Sequence, residues 1–98
     1  MYISNMISNS GNAIPNQFVI TEGNTSTFQS YTSTIATIDA SDGPPCAVTL
    51  DPEFYDYSKT TMKYLARFLG HGIAETRSRI KRGEYKLASL RAARGVLK

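Results

Sequence analysis

Ser58-Lys59-Thr60-Thr61-Met62-Lys63-Tyr64-Leu65-Ala66-Arg67-Phe68-Leu69 is the stretch on which the reading of this chain turns. Before it, apolar residues recur with a period of two; within it they recur at helical spacing. Met62, Leu65 and Leu69 fall in one narrow arc with Phe68 on its border, and Lys59, Lys63 and Arg67 follow i, i+4, i+8 on the opposite side. That pattern predicts an amphipathic helix with a basic outer stripe. Ser58 or Asp56 can cap its start, and Gly70 can end it.

Upstream, the residues favour strands. Phe18-Val19-Ile20-Thr21 is β-branched and aromatic, Glu22-Gly23-Asn24-Thr25 is turn chemistry, and Thr27-Phe28-Gln29-Ser30-Tyr31 resumes alternation, which together read as a hairpin. Thr34-Ile35-Ala36-Thr37-Ile38-Asp39 supports a third strand. Cys46-Ala47-Val48-Thr49-Leu50 forms a fourth, beyond a loop at Ser41-Asp42-Gly43-Pro44-Pro45. Residues 1–16, rich in Asn and Ser, show no sustained period and are expected to form an irregular arm, with at most one short strand near Tyr2–Met6.

Downstream, a second helix is expected over residues 73–82, with Ile73 and Ile80 inward, Glu75 and Arg79 paired at i, i+4, and Gly83 as its stop. Ala and Leu favour a third short helix over 86–94, a frayed tail being the alternative. Strands followed by helices make an α+β domain. The expectation is an antiparallel sheet of three to four strands (17–51) with two or three helices (58–94) packed on one face, forming a single domain over residues 17–98.

The charge divides at the same place. No Lys or Arg precedes Lys59, so residues 1–58 carry −6, whereas eleven cations against Glu75 and Glu84 give residues 59–98 a charge of +9. Such polarity points to a charged partner, a nucleic acid or a nucleoprotein first among them. No stretch reaches the roughly 20 apolar residues of a membrane span, and the start, MYISNMISNSGN, lacks the regions of a signal peptide. A lone Cys46 suits a reducing compartment, so a cytoplasmic protein that does not engage membranes is expected.

Catalytic patterns are missing from the sequence. His71, between two glycines, reads as a turn residue at a helix C-terminus rather than a general base. Cys46 lies in the half of the chain without bases, which a thiolate nucleophile would need. One Cys and one His do not make a zinc site. Asp51, Glu53 and Asp56 lack the spacing of a calcium loop and read as a strand end and a helix start. No enzyme, cofactor or metal is expected. Ser58-Lys59-Thr60-Thr61 has two readings, an anion site at a helix N-terminus or a plain cap.

The basic residues remain the functional candidates. Arg77, Arg79, Lys81, Arg82 and Lys86 span ten residues, followed by Arg91 and Arg94, and Lys59, Lys63 and Arg67 line the first helix. Arginine's planar fork suits phosphate and carboxylate. No zinc finger, RNA-reading motif or convincing helix-turn-helix accompanies them.

The order of Phe28-Gln29-Ser30-Tyr31, Val48-Thr49-Leu50-Asp51, Tyr57-Ser58-Lys59-Thr60-Thr61, Phe68-Leu69-Gly70 and Ile80-Lys81-Arg82-Gly83-Glu84-Tyr85 resembles a family of short uncharacterised proteins of bacteriophages and other mobile elements. The likeness covers residues 17–86. It implies a phage-type accessory protein that binds and modulates a host protein or nucleoprotein in the bacterial cytoplasm, inhibitors of CRISPR effectors being one such class. Direct nucleic-acid binding through the helical half is the alternative.

Overall fold

The computed structural model describes residues 2–41, 43, 46–56 and 58–90. Among them the chain forms β1 (Tyr2–Ile7), β2 (Ala13–Glu22), β3 (Thr25–Ser30), β4 (Ser33–Asp39), β5 (Ala47–Leu50), α1 (Lys59–Leu69), α2 (Ile73–Lys81) and β6 (Lys86–Leu87). The α+β class agrees with the sequence reading, but the sheet is larger. Six strands stand in chain order, β1 to β5 antiparallel and β6 parallel to β5.

Two of the additional sheet segments, β1 and the start of β2, come from the arm over residues 1–16, where the sequence allows only one short strand near Tyr2–Met6. Tyr2–Ile7 pairs with β2, which begins at Ala13 rather than near residue 17. Main-chain pairing and side-chain help from Asn5, whose Nδ2 donates to the Ile14 carbonyl at 2.9 Å, replace the missing alternation. Pro15 is tolerated because the register slips there: Asn5 faces Phe18, yet Ile7 faces Ala13, so the ladder asks no donor of it. The remaining strand is β6. The helix expected over 86–94 begins instead as Lys86–Leu87 beside Thr49 and Leu50. Ala88 N then donates to Leu50 O at 3.0 Å. A bare sheet edge offering main-chain partners outweighs the weak helical preference of Ala and Leu. Residues 91–94 of that expected helix lie outside the described residues.

Cross-strand register defines the face that carries the core. Val19, Phe28, Ala36 and Leu50 lie opposite one another across four strands. A β-bulge in β4, where Phe28 pairs with Ala36 but Gln29 pairs with Thr34, turns Ile35 to the same side as Ala36. Both are consequently buried, although strict alternation would separate them. Onto this face α1 lays Met62 and Leu65, which join Met6, Ile14, Phe28, Ile35, Ala36 and Leu50 in one cluster. Phe28, 0% exposed, stacks on Phe68 with ring centroids 5.7 Å apart.

The helix ends follow the sequence. Ser58 Oγ accepts from Thr61 N at 3.1 Å. Gly70 ends α1 at φ 84°, a conformation favourable to glycine. In α2 the inward residues are Thr76 and, in part, Ile80. Ile73 is 44% exposed, contrary to expectation, because it is the first residue of α2 and precedes the packed turn.

Candidate functional site

Lys59, Lys63 and Arg67 are exposed along α1, four residues apart. Successive cations therefore rise by about 6 Å along the helix axis. Arg67 Nη2 reaches Asn9 Oδ1 at 3.4 Å, in the turn between β1 and β2, and Lys63 Nζ stands 5.3 Å from the centre of the Tyr64 ring. Among the described residues, none of the three forms an ion pair.

The arginines of α2 are differently placed. Arg77 makes a two-pronged contact with Asp56, both distances 3.3 Å. Arg79 Nε donates to Glu75 Oε2 at 2.7 Å, and its Nη1 approaches Glu84 at 3.5 Å. Arg82 joins Glu84 at 2.8 Å and Glu75 at 3.6 Å. The hydrogen bond from Arg79 holds the Glu75 carboxyl below its ordinary range, and the same bond raises the Arg79 guanidinium. Such exposed pairs add little stability singly. Their effect is to cancel charge, since two guanidiniums face two carboxylates and Arg77 faces a third.

The basic candidates thus do not form one patch. Lys81, exposed on α2, has no ion-pair partner among the described residues. Lys86 lies opposite Thr49, which is in register with Thr37 and Thr27, on the side of the sheet away from Phe28 and the helices. Arg91 and Arg94 lie outside the described residues. Among the described residues the continuous unpaired row is on α1.

At the start of α1 the structure opens a cavity of about 480 Å³ lined by residues 30–33 with Ile35, Phe54, Ser58, Thr60 and Thr61. Seven of its nine described lining residues carry a hydroxyl, and none of the nine is charged. Ser58 Oγ both accepts from Thr61 N and donates to Thr61 Oγ1, which leaves the Thr61 hydroxyl proton free to bond elsewhere. The N–H groups of Lys59 and Thr60 have no acceptor within the helix. Ser30, 4% exposed, has a solvent-shielded Oγ without a partner among the described residues, as does Gln17 Oε1 on the residue opposite it. Tyr31 is held at φ 56° with its N–H on Asn16 O at 2.7 Å, and its ring is 60% exposed. The sequence offered only the Ser-Lys-Thr-Thr half of this site. The β3–β4 turn that faces it becomes relevant only through the fold.

Of the acidic trio, Asp51 has a structural part. It is 3% exposed; Oδ1 accepts from Glu53 N at 2.9 Å and Oδ2 from Leu90 N at 3.0 Å. Asp56 pairs with Arg77, as above. His71 sits half-buried after α1, its N–H on Ala66 O at 3.0 Å, and Cys46 is exposed. Among the described residues no group of three His, Cys, Asp or Glu could hold a metal ion, and no helix is long and apolar enough to cross a membrane.

No curated protein and no solved structure matches the chain. A family model described as "Family of unknown function (DUF8033)" matches residues 1–86, and so takes in the β1 segment together with both helices. On the strength of that match over most of its length, the chain belongs to this family of unknown function.

Proposed function

We propose that the protein is a non-enzymatic interaction protein whose α1 surface docks on a polyanionic partner, a host nucleoprotein complex. The observation that carries this reading is the contrast between the two helices. Lys59, Lys63 and Arg67 stand exposed in a row without carboxylate partners among the described residues, whereas Arg77, Arg79 and Arg82 are neutralised within the chain. The resemblance to short phage accessory proteins supports a host defence complex, a CRISPR effector among them, as the target. The second reading, direct nucleic-acid binding, draws support from the row's spacing. A rise of about 6 Å per cation is close to two phosphate steps of roughly 3.4 Å along a duplex strand.

Fluorescence anisotropy with labelled duplex DNA, single-stranded DNA and RNA separates the readings when combined with capture from host lysate, with and without nuclease. Three phosphate contacts predict a log–log salt slope of about −2.7 on duplex DNA. Reversal of Lys59, Lys63 and Arg67 to Glu is expected to abolish it. A chain that ignores all three nucleic acids at low salt, yet captures a nuclease-resistant partner through the same row, favours the first reading over the second. Capture that survives the triple reversal refutes both.

A further inference from the structure

We propose that the outer edge of β1 is a self-association surface, where two copies of the chain join antiparallel about a two-fold axis at Asn5 to make one continuous sheet. β1 (Tyr2–Ile7) borders the sheet, so about half of its main-chain N–H and C=O groups have no strand beside them among the described residues. Edge strands that stay single carry a lysine, an inward charge or a proline, or are very short. β6, at the other border, is two residues long and holds Lys86. β1 has none of these devices: its six residues, YISNMI, are neutral and free of proline. Residues 1–21 as a whole contain no charged side chain. Apolar surface gathers at the same border. Of the six large hydrophobic side chains exposed among the described residues, three (Tyr2, Ile3 and Ile7) belong to β1.

A second copy fits this edge better than a charged peptide does. With no charge on either side of the joint, two copies meet without repulsion, and an isologous contact needs only one self-complementary border. The register follows from the side chains. Ile3 lies opposite Ile20 on the face away from the helices, and alternation puts Asn5 and Ile7 on that face too. A two-fold at Asn5 sets Ile3 directly across from the partner's Ile7, so that Ile7, Ile3 and Ile20 make one apolar row through the joint. The antiparallel sense also matters for charge. Tyr2 pairs with Thr21, so Glu22 lies beside the start of β1, whereas Arg67 rests on Asn9 just past its end. The two-fold brings the Arg67 end of each copy beside the Glu22 end of the other, unlike charges together. Both α1 helices stay on one side of the joined sheet, which then presents two cation rows; the pairing does not depend on their docking role.

One strand per copy makes a joint at the small end of specific interfaces, so half-association is expected at about 1–100 μM. Sedimentation velocity of the intact chain across that range measures it. Ile3→Lys puts an edge lysine at a side chain already exposed. It should raise the association midpoint by about tenfold or more, with the circular dichroism spectrum and thermal midpoint of the dilute chain little changed. Ile73→Lys, at an exposed apolar position on α2, should associate as the parent does. For the register, Ile3→Cys and Ile7→Cys are made separately on a Cys46→Ser background, which removes the exposed native thiol. Directly opposed strand residues stand about 4.5–5.5 Å apart, within reach of a disulfide. The mixture should therefore cross-link under mild oxidation, and each variant alone should not. A chain that stays monomeric up to about 1 mM overturns the proposal and leaves the edge to a strand from a different protein. So does undiminished association of folded Ile3→Lys, or a mixture that cross-links no better than either variant alone.

Discussion

Replacing Asp51 by Asn is expected to loosen the C-terminal segment first and the domain second. The carboxylate serves two main-chain donors, Glu53 N and Leu90 N, one on each oxygen. An amide has one acceptor oxygen and presents an NH₂ group to the other donor, so one bond must be lost. Bonds to charged groups contribute about 1.5–3 kcal/mol each. The Glu53 side can recover part of that from water because the residue is exposed, whereas Leu90 is buried and cannot. A loss of about 2–3 kcal/mol is therefore expected. A domain of this length holds roughly 5–15 kcal/mol in total. With a urea m-value near 2 kcal/mol/M, the midpoint should fall by about 1–1.5 M. The turn itself should survive, because Phe54 N and Tyr55 N bond the Asp51 main-chain oxygen, which the substitution leaves in place. Hydrogen exchange supplies the local readout: the Leu90 amide should lose more protection than amides of β3. An unchanged midpoint together with an unchanged Leu90 amide would refute the argument that this side chain fastens the segment.

Three further outcomes are expected. Phe28→Ala should cost about 3–5 kcal/mol, since the ring is fully buried and stacked on Phe68; chemical denaturation checks it, and a loss below 1 kcal/mol would contradict the placement of the core. Ser58→Ala should cost about 1 kcal/mol through the cap on Thr61 N, read as lower helicity and an earlier thermal midpoint. Stability should also fall at both ends of the pH scale. Glu75 and Asp39 titrate below their ordinary values of 4.5 and 3.8, Glu75 through its bond from Arg79 and Asp39 through the Ser41 hydroxyl. Their stabilisation is present above those values and disappears as pH falls through the lowered ones. Tyr85 is raised above 10.0 by burial, so its contribution holds below that pH and is lost as pH climbs through the raised value. Thermal midpoints across pH follow both limbs, and Tyr85→Phe should flatten the alkaline one.

The parts legible in the sequence were those fixed by local chemistry. The Gly23-Asn24 hairpin, the Ser58 cap, the Gly70 stop and the Glu75–Arg79 pair all follow from neighbours within four residues. What escaped depends on distant partners. Tyr2–Ile7, where the sequence allows one short strand near Tyr2–Met6, owes its pairing to β2, whose own start at Ala13 lies in the stretch read as an irregular arm. Lys86–Leu87 becomes a strand because β5 has an open edge beside it. The bulge at Ile35 hides behind an apparently regular alternation. Charge misled in a similar way. A count of arginines does not reveal that Glu75, Glu84 and Asp56 answer three of them, and nothing in the Phe28-Gln29-Ser30-Tyr31 motif says that its end faces the start of α1.

The strand order has a practical meaning for attachment. With β1 at one edge of the sheet and β6 at the other, five gaps of about 4.8 Å separate them, or some 24 Å across. A label or fused module tethered ahead of β1 and another tethered after β6 would therefore leave from opposite borders. The domain then acts as a spacer, and a short linker on one side has to go around the sheet to reach what is attached to the other.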